Sequence, residues 1–246
     1  MAWLLIDNSN SRTKFRLGDA SGLLDWNEVI PTQDLTDGLI QALIAGLDFS
    51  GVVVASVVPE KEKLLRKIFE NQTYHRLTHE SPLGYGFELD APEQIGHDRL
   101  ANAVALKDRH DAPAIAIDFG TAVTFSVISE NGNFAGGVIA PGMGCMTEYL
   151  ASKTAQLPRV NPEAYESAIG KTTMEAMQIG VVAGHRGMVR EILREIVSEI
   201  GSDVAVVATG GGATFAAKGL PEISSVDLDL TLEGLRLVAG RVFNVE

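Results

Sequence analysis

Short apolar runs that stop at an acid or a glycine-containing turn alternate along the chain with stretches whose apolar residues recur three or four positions apart. The first pattern is that of a buried or half-buried strand, the second that of an amphipathic helix. Residues 3–6 form an apolar run ending at Asp7, residues 13–17 alternate, and 23–30 predict a third strand after the turn Ala20-Ser21-Gly22. Leu35, Leu39, Leu43 and Leu47 have helical spacing and predict a helix over 35–47. Residues 52–58 lack polar alternation, which predicts a buried strand, and helices are predicted over 61–69 and 100–109. A second round begins at residue 114. An apolar run over 114–117 stops at Asp118, 124–129 alternate, Glu130-Asn131-Gly132-Asn133 is a hairpin turn, and 138–140 continue to Pro141-Gly142. An amphipathic helix over 186–200, a buried strand over 204–208 and a final helix over 231–243, with Gly234 and Gly240 inside it, complete the pattern.

The two rounds resemble each other. Leu4-Leu5-Ile6-Asp7 and Ile115-Ala116-Ile117-Asp118 lie 111 residues apart, and each is followed by small polar residues, an alternating strand and a turn. This predicts two related α/β domains, near residues 1–112 and 113–246, with a ligand cleft between them. The final helix is expected to pack back on the first domain.

Composition narrows the functional classes. The net charge of -12 opposes bulk binding of nucleic acid or of an anionic membrane, so neither partner is expected. A small anionic substrate remains compatible with a local positive site. The single cysteine, Cys145, excludes an intramolecular disulfide and a cysteine-based metal site and fits a cytoplasmic location. No apolar run reaches the roughly 20 residues of a membrane span, and the N-terminal run meets Asp7 too early for a signal peptide.

Asp7 and Asp118 each end a predicted strand, where paired carboxylates can hold a hard cation such as Mg²⁺ directly or through water. Asn10, Ser11, Arg12, Thr13 and Lys14 add donors and positive charge for a phosphate-gripping hairpin. The run Thr209-Gly210-Gly211-Gly212 permits close backbone approach to a flat or anionic ligand. Asp98, just before a predicted helix, is either its N-cap or a general base. Arg99 beside it is expected to lower its pKa and is suited to gripping a carboxylate. Gly170-Lys171-Thr172-Thr173 is not a P-loop, because Tyr165 stands where the first glycine belongs. His75 and His79 read as solvated surface residues, and Met143, Met146 and Met174 as packing residues.

Taken in order, these segments resemble one family, the type III pantothenate kinases of the sugar kinase, actin and heat-shock chaperone ATPase superfamily. Asp7, Asn8, Ser9, Asn10, Ser11, Arg12, Thr13 and Lys14 resemble its first phosphate motif, D-x-G-N-T, with Ser9 in place of Gly and Ser11 in place of Thr. Pro92 through Ala103 resembles P-x-x-[VI]-G-x-D-R-x-x-N-A, and Asp118-Phe119-Gly120-Thr121-Ala122-Val123-Thr124 the second phosphate motif. Gly136 through Gly142, Ile169 through Thr173 and Thr209-Gly210-Gly211 resemble three further segments, the last an adenosine motif. Leu89 stands where Tyr is common in the family, with Tyr85 as its candidate replacement.

The resemblance implies two actin/ribonuclease-H-like domains and ATP-dependent phosphorylation of pantothenate, the first step of coenzyme A biosynthesis. It implies Asp98 as proton acceptor; Gly96, His97, Asp98, Arg99 and Thr173 around pantothenate; and the first motif with Thr121, Gly210 and Gly211 around ATP. It further implies K⁺ or NH₄⁺ at Asp118, Mg²⁺ near Asp7, and a homodimer in which Thr173 serves the neighbouring subunit. Two alternatives stay open: a non-catalytic regulator on the same fold, favoured by Ser9, and a kinase of another small hydroxy-carboxylate.

Overall fold

A computed structural model describes residues 1–201 and 203–243; the last three residues of the expected second domain lie outside it. Strands β1 (Trp3–Asn8), β2 (Arg12–Gly18), β3 (Leu23–Pro31), β4 (Gly51–Ser56) and β5 (Tyr74–Arg76) form one sheet in the order β3-β2-β1-β4-β5. Strands β6 (Ala114–Phe119), β7 (Ala122–Ile128), β8 (Phe134–Gly136), β10 (Ala205–Thr209) and β11 (Ser225–Val226) form a second, in the order β8-β7-β6-β10-β11, with β9 (Ile139–Pro141) also paired to β7. Both sheets start with an antiparallel meander and add two parallel strands on the far side of the first one. Identical order and direction make the two halves topological copies, with Asp7 and Asp118 at matching places near the ends of β1 and β6.

Helices α1 (Asp37–Ile44) and α2 (Pro59–Ile68) cover the outer face of the first sheet, where Leu4, Ile6, Val52 and Val54 meet Ile40 and Leu65. Helices α5 (Thr173–Ile200) and α6 (Ala213–Ala217) cover the outer face of the second, where Ile115 and Ile117 meet Val189, Leu193 and Ala216. Between the sheets lie α3 (His97–Arg109) and α7 (Leu230–Phe243), whose Leu100, Val104, Leu235 and Val238 share one core with Trp3, Leu5, Ala116 and Val207. The final helix therefore packs against the first sheet and also against α3. Gly234 makes that contact possible, because a Cβ there would run into the backbone carbonyl of Ala101.

Several elements differ from the sequence expectation. Leu35 and Leu47 fall outside α1, which is shorter than the four-leucine spacing suggested, and Leu39 is exposed. Helix α5 begins 13 residues earlier than residue 186, because Gly180 and Gly184 interrupt the apolar stripe of its first half. Its start is a capping box: Thr172 Oγ1 accepts from the Glu175 N–H, and the Glu175 carboxylate accepts from the Thr172 N–H. Helix α4 (Met143–Lys153) was not foreseen. Met174 is 59% exposed and is not a packing residue. His75 is half-buried, with Nε2 2.9 Å from Ser81 Oγ, so it is not a simple solvated side chain.

Candidate active site

Alternation along β1 and β6 sends Trp3, Leu5 and Asp7, and likewise Ala114, Ala116 and Asp118, toward the layer that holds α3. Asp98 enters the same region from the first turn of α3. The three carboxylates are close enough to influence one another's ionisation. Burial raises the pKa of Asp7, with Lys14 opposing and Asp98 adding to the rise. Burial, then Asp98 and Asp7, push Asp118 up to about 6. Burial also raises Asp98. Arg99 lowers it as expected, through its N–H and its charge, but burial outweighs both and the net shift is upward. The Arg99 guanidinium itself turns toward the second sheet, where Nη2 donates to the Phe125 and Gly136 carbonyls at 3.0 and 3.4 Å. Its Nε donates to Ser126 Oγ at 3.4 Å, so the fork suited to a carboxylate is largely engaged by protein. Nor is Asp98 the N-cap of α3; that position is Gly96, and the Asp98 carboxylate accepts from the Arg99 N–H at 2.8 Å.

Asp7 and Asp118 are held differently. Asp7 accepts from Ser9 Oγ at 2.9 Å and lies 3.7 Å from Lys14 Nζ. Asp118 accepts from Asn102 Nδ2 at 3.4 Å, and Asn102 Oδ1 in turn accepts from Thr231 Oγ1 at 2.7 Å, a relay from α7 through α3 to β6. Thr209 stands opposite Asp118 in the next strand, and its buried hydroxyl has no partner among the described residues. Gly210 follows with φ +88°, and a Cβ there would strike the Asp118 carboxylate. A side chain is thus excluded on grounds of both conformation and space.

A cleft of about 450 Å³ opens beside this cluster. Of the residues expected to hold ATP and cations, Asp7, Ser9, Ser11, Arg12, Lys14, Asp118, Thr121, Gly210 and Gly211 line it. Asn8, Asn10 and Thr13 do not. Asn8 and Thr13 are buried behind the hairpin, where Asn8 Nδ2 donates to Thr13 Oγ1 and Ser56 Oγ donates to Asn8 Oδ1, both at 2.7 Å; Asn10 is exposed at the turn. Ser9 fits in place of glycine because no non-glycine residue among those described has a positive φ and its hydroxyl is taken up by Asp7. Ser11 Oγ and Thr121 Oγ1 sit 2.9 Å apart, joining the two hairpins.

Gly96, His97, Asp98 and Arg99 cluster at the start of α3, outside that lining. Thr173 lies elsewhere, in an apolar groove of about 780 Å³ between α4 and α5, with Met146, Tyr149 and Met177. Tyr85 does not replace an aromatic at Leu89, since its hydroxyl donates to the Leu100 carbonyl and its ring stacks on Phe134. The sequence reading did not single out His185, Phe215, Pro162 and Gly144 of the cleft or the supporting Thr231, and it took Met143, which also lines the cleft, for a packing residue. Only Phe215 carried a signal, as an aromatic just after the glycine run.

Among the described residues, no three His, Cys, Asp or Glu side chains form a ready-made metal cage. What the site offers instead is excess negative charge: three partly or fully buried carboxylates with Lys14 as the cation paired to one of them. That suits a cation that completes its shell with phosphate oxygens or water.

The solved activator of the 2-hydroxyisocaproyl-CoA dehydratase from Clostridium difficile, which carries bound ADPNP, is similar in fold. Its TM-score is 0.56 at 14% identity, over 100% of this chain and 98% of that one. A type III pantothenate kinase from Akkermansia muciniphila is 45% identical over 98% of this chain and 99% of its own length. One from Methylacidiphilum infernorum is 40% identical over 96% of this chain and 87% of its own. The family model described as type III pantothenate kinase matches residues 3–195, and with it the chain belongs to the type III pantothenate kinase family.

Proposed function

We propose that this chain transfers the γ-phosphoryl group of ATP to the primary hydroxyl of pantothenate, giving 4'-phosphopantothenate, the first step of coenzyme A biosynthesis. The observation that carries this reading is the convergence of Asp98 with Asp7 and Asp118 beside a cleft walled by two donor-bearing hairpins. Phosphoryl transfer demands alignment and neutralised charge more than covalent help. Ser9, Ser11, Arg12, Lys14 and Thr121 supply donors and two positive charges for the triphosphate, and Gly210 with Gly211 leaves room for the nucleoside. The substrate oxygen attacks the γ-phosphorus, the bond to the bridging oxygen breaks, ADP leaves, and the hydroxyl proton passes to an Asp98 oxygen. Burial raises the basicity of Asp98 above that of an ordinary carboxylate, which favours this transfer once the group is ionised.

Mg²⁺ beside Asp7 would offset phosphate charge, and K⁺ or NH₄⁺ would sit at Asp118 with Thr209 near. We read residues 1–112 and 113–246 as the two domains and place pantothenate against Gly96, His97, Asp98 and Arg99. In a homodimer, the apolar groove around Thr173, with exposed Ile139, Tyr149, Ile169 and Met174 close to it in sequence or in the fold, would meet a second copy and bring Thr173 to its neighbour's Asp98. A cytoplasmic location goes with this reading; no described helix is long and apolar enough to cross a membrane. The test is ADP release in potassium buffer with and without pantothenate. Turnover that appears only with pantothenate is expected; ATP hydrolysis indifferent to it would sink the assignment.

A further inference from the structure

His185 lies in the middle of α5, at the floor of the cleft, and is only 1% exposed. Neither of its ring nitrogens has a hydrogen-bond partner among the described residues. Leaving a buried donor and acceptor unmatched opposes folding, so such a group calls for a role. Its ring centroid lies 6.1 Å from that of Phe119, and the adjacent Arg186 sits over the Phe215 ring at 5.6 Å. Phe119, Phe215 and Ala216 belong to the same wall of the cleft, while the cationic side chains there, Arg12 and Lys14, come from the β1–β2 hairpin. Burial and the neighbouring Arg186 charge lower the His185 pKa, so the ring is neutral and presents one N–H and one lone pair. A neutral ring among aromatic and small residues matches a nucleoside, whose hydroxyls and ring nitrogens both donate and accept. It does not match a phosphate, which is served better by Arg12 and Lys14.

We propose that His185 binds the adenosine part of the nucleotide, through hydrogen bonds from its imidazole to the base or ribose. This rests on the reading of the cleft as an ATP site. It makes His185 a residue for nucleoside recognition, separate from the phosphate-binding hairpins.

The test measures binding of ATP and of inorganic tripolyphosphate by calorimetry to wild type, His185→Phe and His185→Gln. His185→Phe should weaken ATP by about three- to tenfold, the worth of a hydrogen bond, and leave tripolyphosphate unchanged. His185→Gln, which keeps a donor and an acceptor, should retain most of the affinity. Unchanged ATP affinity in His185→Phe, or an equal loss for tripolyphosphate, would overturn the proposal while leaving the ATP site standing. Wild type that binds neither ligand would overturn the ATP reading itself, and this proposal with it. If His185→Phe does not fold, the imidazole nitrogen resonances of wild type decide: they should shift on saturation with ATP and stay put with tripolyphosphate, and resonances that do not move with ATP refute the role.

Discussion

Replacing Asp118 by Asn should stabilise the ligand-free protein at neutral pH. The Asp118 carboxyl rises from an ordinary 3.8 to about 6 on folding, because it is buried and faces Asp98 and Asp7. The sign follows from proton linkage. Between those two values the unfolded chain has lost its proton and the folded one still holds it, so stability falls as pH rises through this window. Above it, both states are ionised and the full cost is in place. A shift of that size corresponds to about 3 kcal/mol, an upper value because the carboxylate keeps some contact with solvent. The substituted amide would carry no charge and could still accept from Asn102. Urea unfolding in tetramethylammonium buffer should therefore show the Asn variant more stable by about 1–3 kcal/mol at pH 7.5, with the gap closing toward pH 4. Potassium added at pH 7.5 should stabilise wild type and not the variant, and the variant should lose kinase activity. A variant less stable than wild type at pH 7.5, or a gap that does not change with pH, would refute the electrostatic account.

Three other substitutions probe separate parts of the structure. Asp98→Asn should cut turnover by roughly 10²–10⁴-fold without lowering stability, since Asp98 does not cap α3 and its burial penalises the charge that the amide removes; near wild-type turnover would remove the general base. Wild-type turnover should also decline on the acid side above the usual carboxylate range, because burial raises the Asp98 pKa and only the ionised form accepts a proton. Gly234→Ala should lower stability by about 1–3 kcal/mol or more through its collision with the Ala101 backbone, whereas Gly240→Ala, whose Cβ would rest 3.6 Å from the Trp3 ring, should be neutral or gain up to about 1 kcal/mol; thermal unfolding separates the two. Mixed dimers of Asp98→Asn with a Thr173→Ala chain should regain part of the activity that each variant lacks alone, and no recovery would count against a site shared between subunits.

The fold was legible where one face of an element is apolar and its end is marked. The runs that stop at Asp7 and Asp118, together with the hairpin at Gly132, give β1, β6 and β7 to within two residues, β1 and β6 continuing through the acid and one residue beyond. Legibility failed where small residues fill the interface. Helix α4 opens with Met143, Gly144 and Cys145, and the first half of α5 carries two glycines, so neither shows a clean stripe. The site was legible as residue types but not as directions. Asn8, Thr13 and Arg99 have the right groups for phosphate or carboxylate, yet tertiary partners claim them: Ser56 and Thr32 for the first two, and the Phe125 carbonyl for the third. Thr231 and His185 gave no signal because their roles arise from contacts or cavities formed by distant segments.

The duplication explains why the two halves hold similar carboxylates and treat them unequally. In the first sheet the residue across from Asp7 is Lys14, whose ammonium offsets its charge. In the second sheet the residue across from Asp118 is Thr124, which carries none. Asn102 supplies a neutral hydrogen bond, and Thr209 on the other side has a hydroxyl with nothing to bind among the described residues. The same backbone frame thus yields one carboxylate balanced from within and one that lacks a counter-charge, close to two other acids in a partly desolvated place. A protein cation at both positions would leave the second half with no use for an ion from solution. On the proposed reading, its omission at Thr124 makes Asp118 the point where a bound monovalent cation gains most, next to the hairpin that joins the first through Ser11 and Thr121. On that reading, the charge of the two strand-end carboxylates is compensated unequally: Asp7 has a built-in lysine before any Mg²⁺ arrives with the nucleotide, whereas Asp118 relies on an exchangeable ion alone.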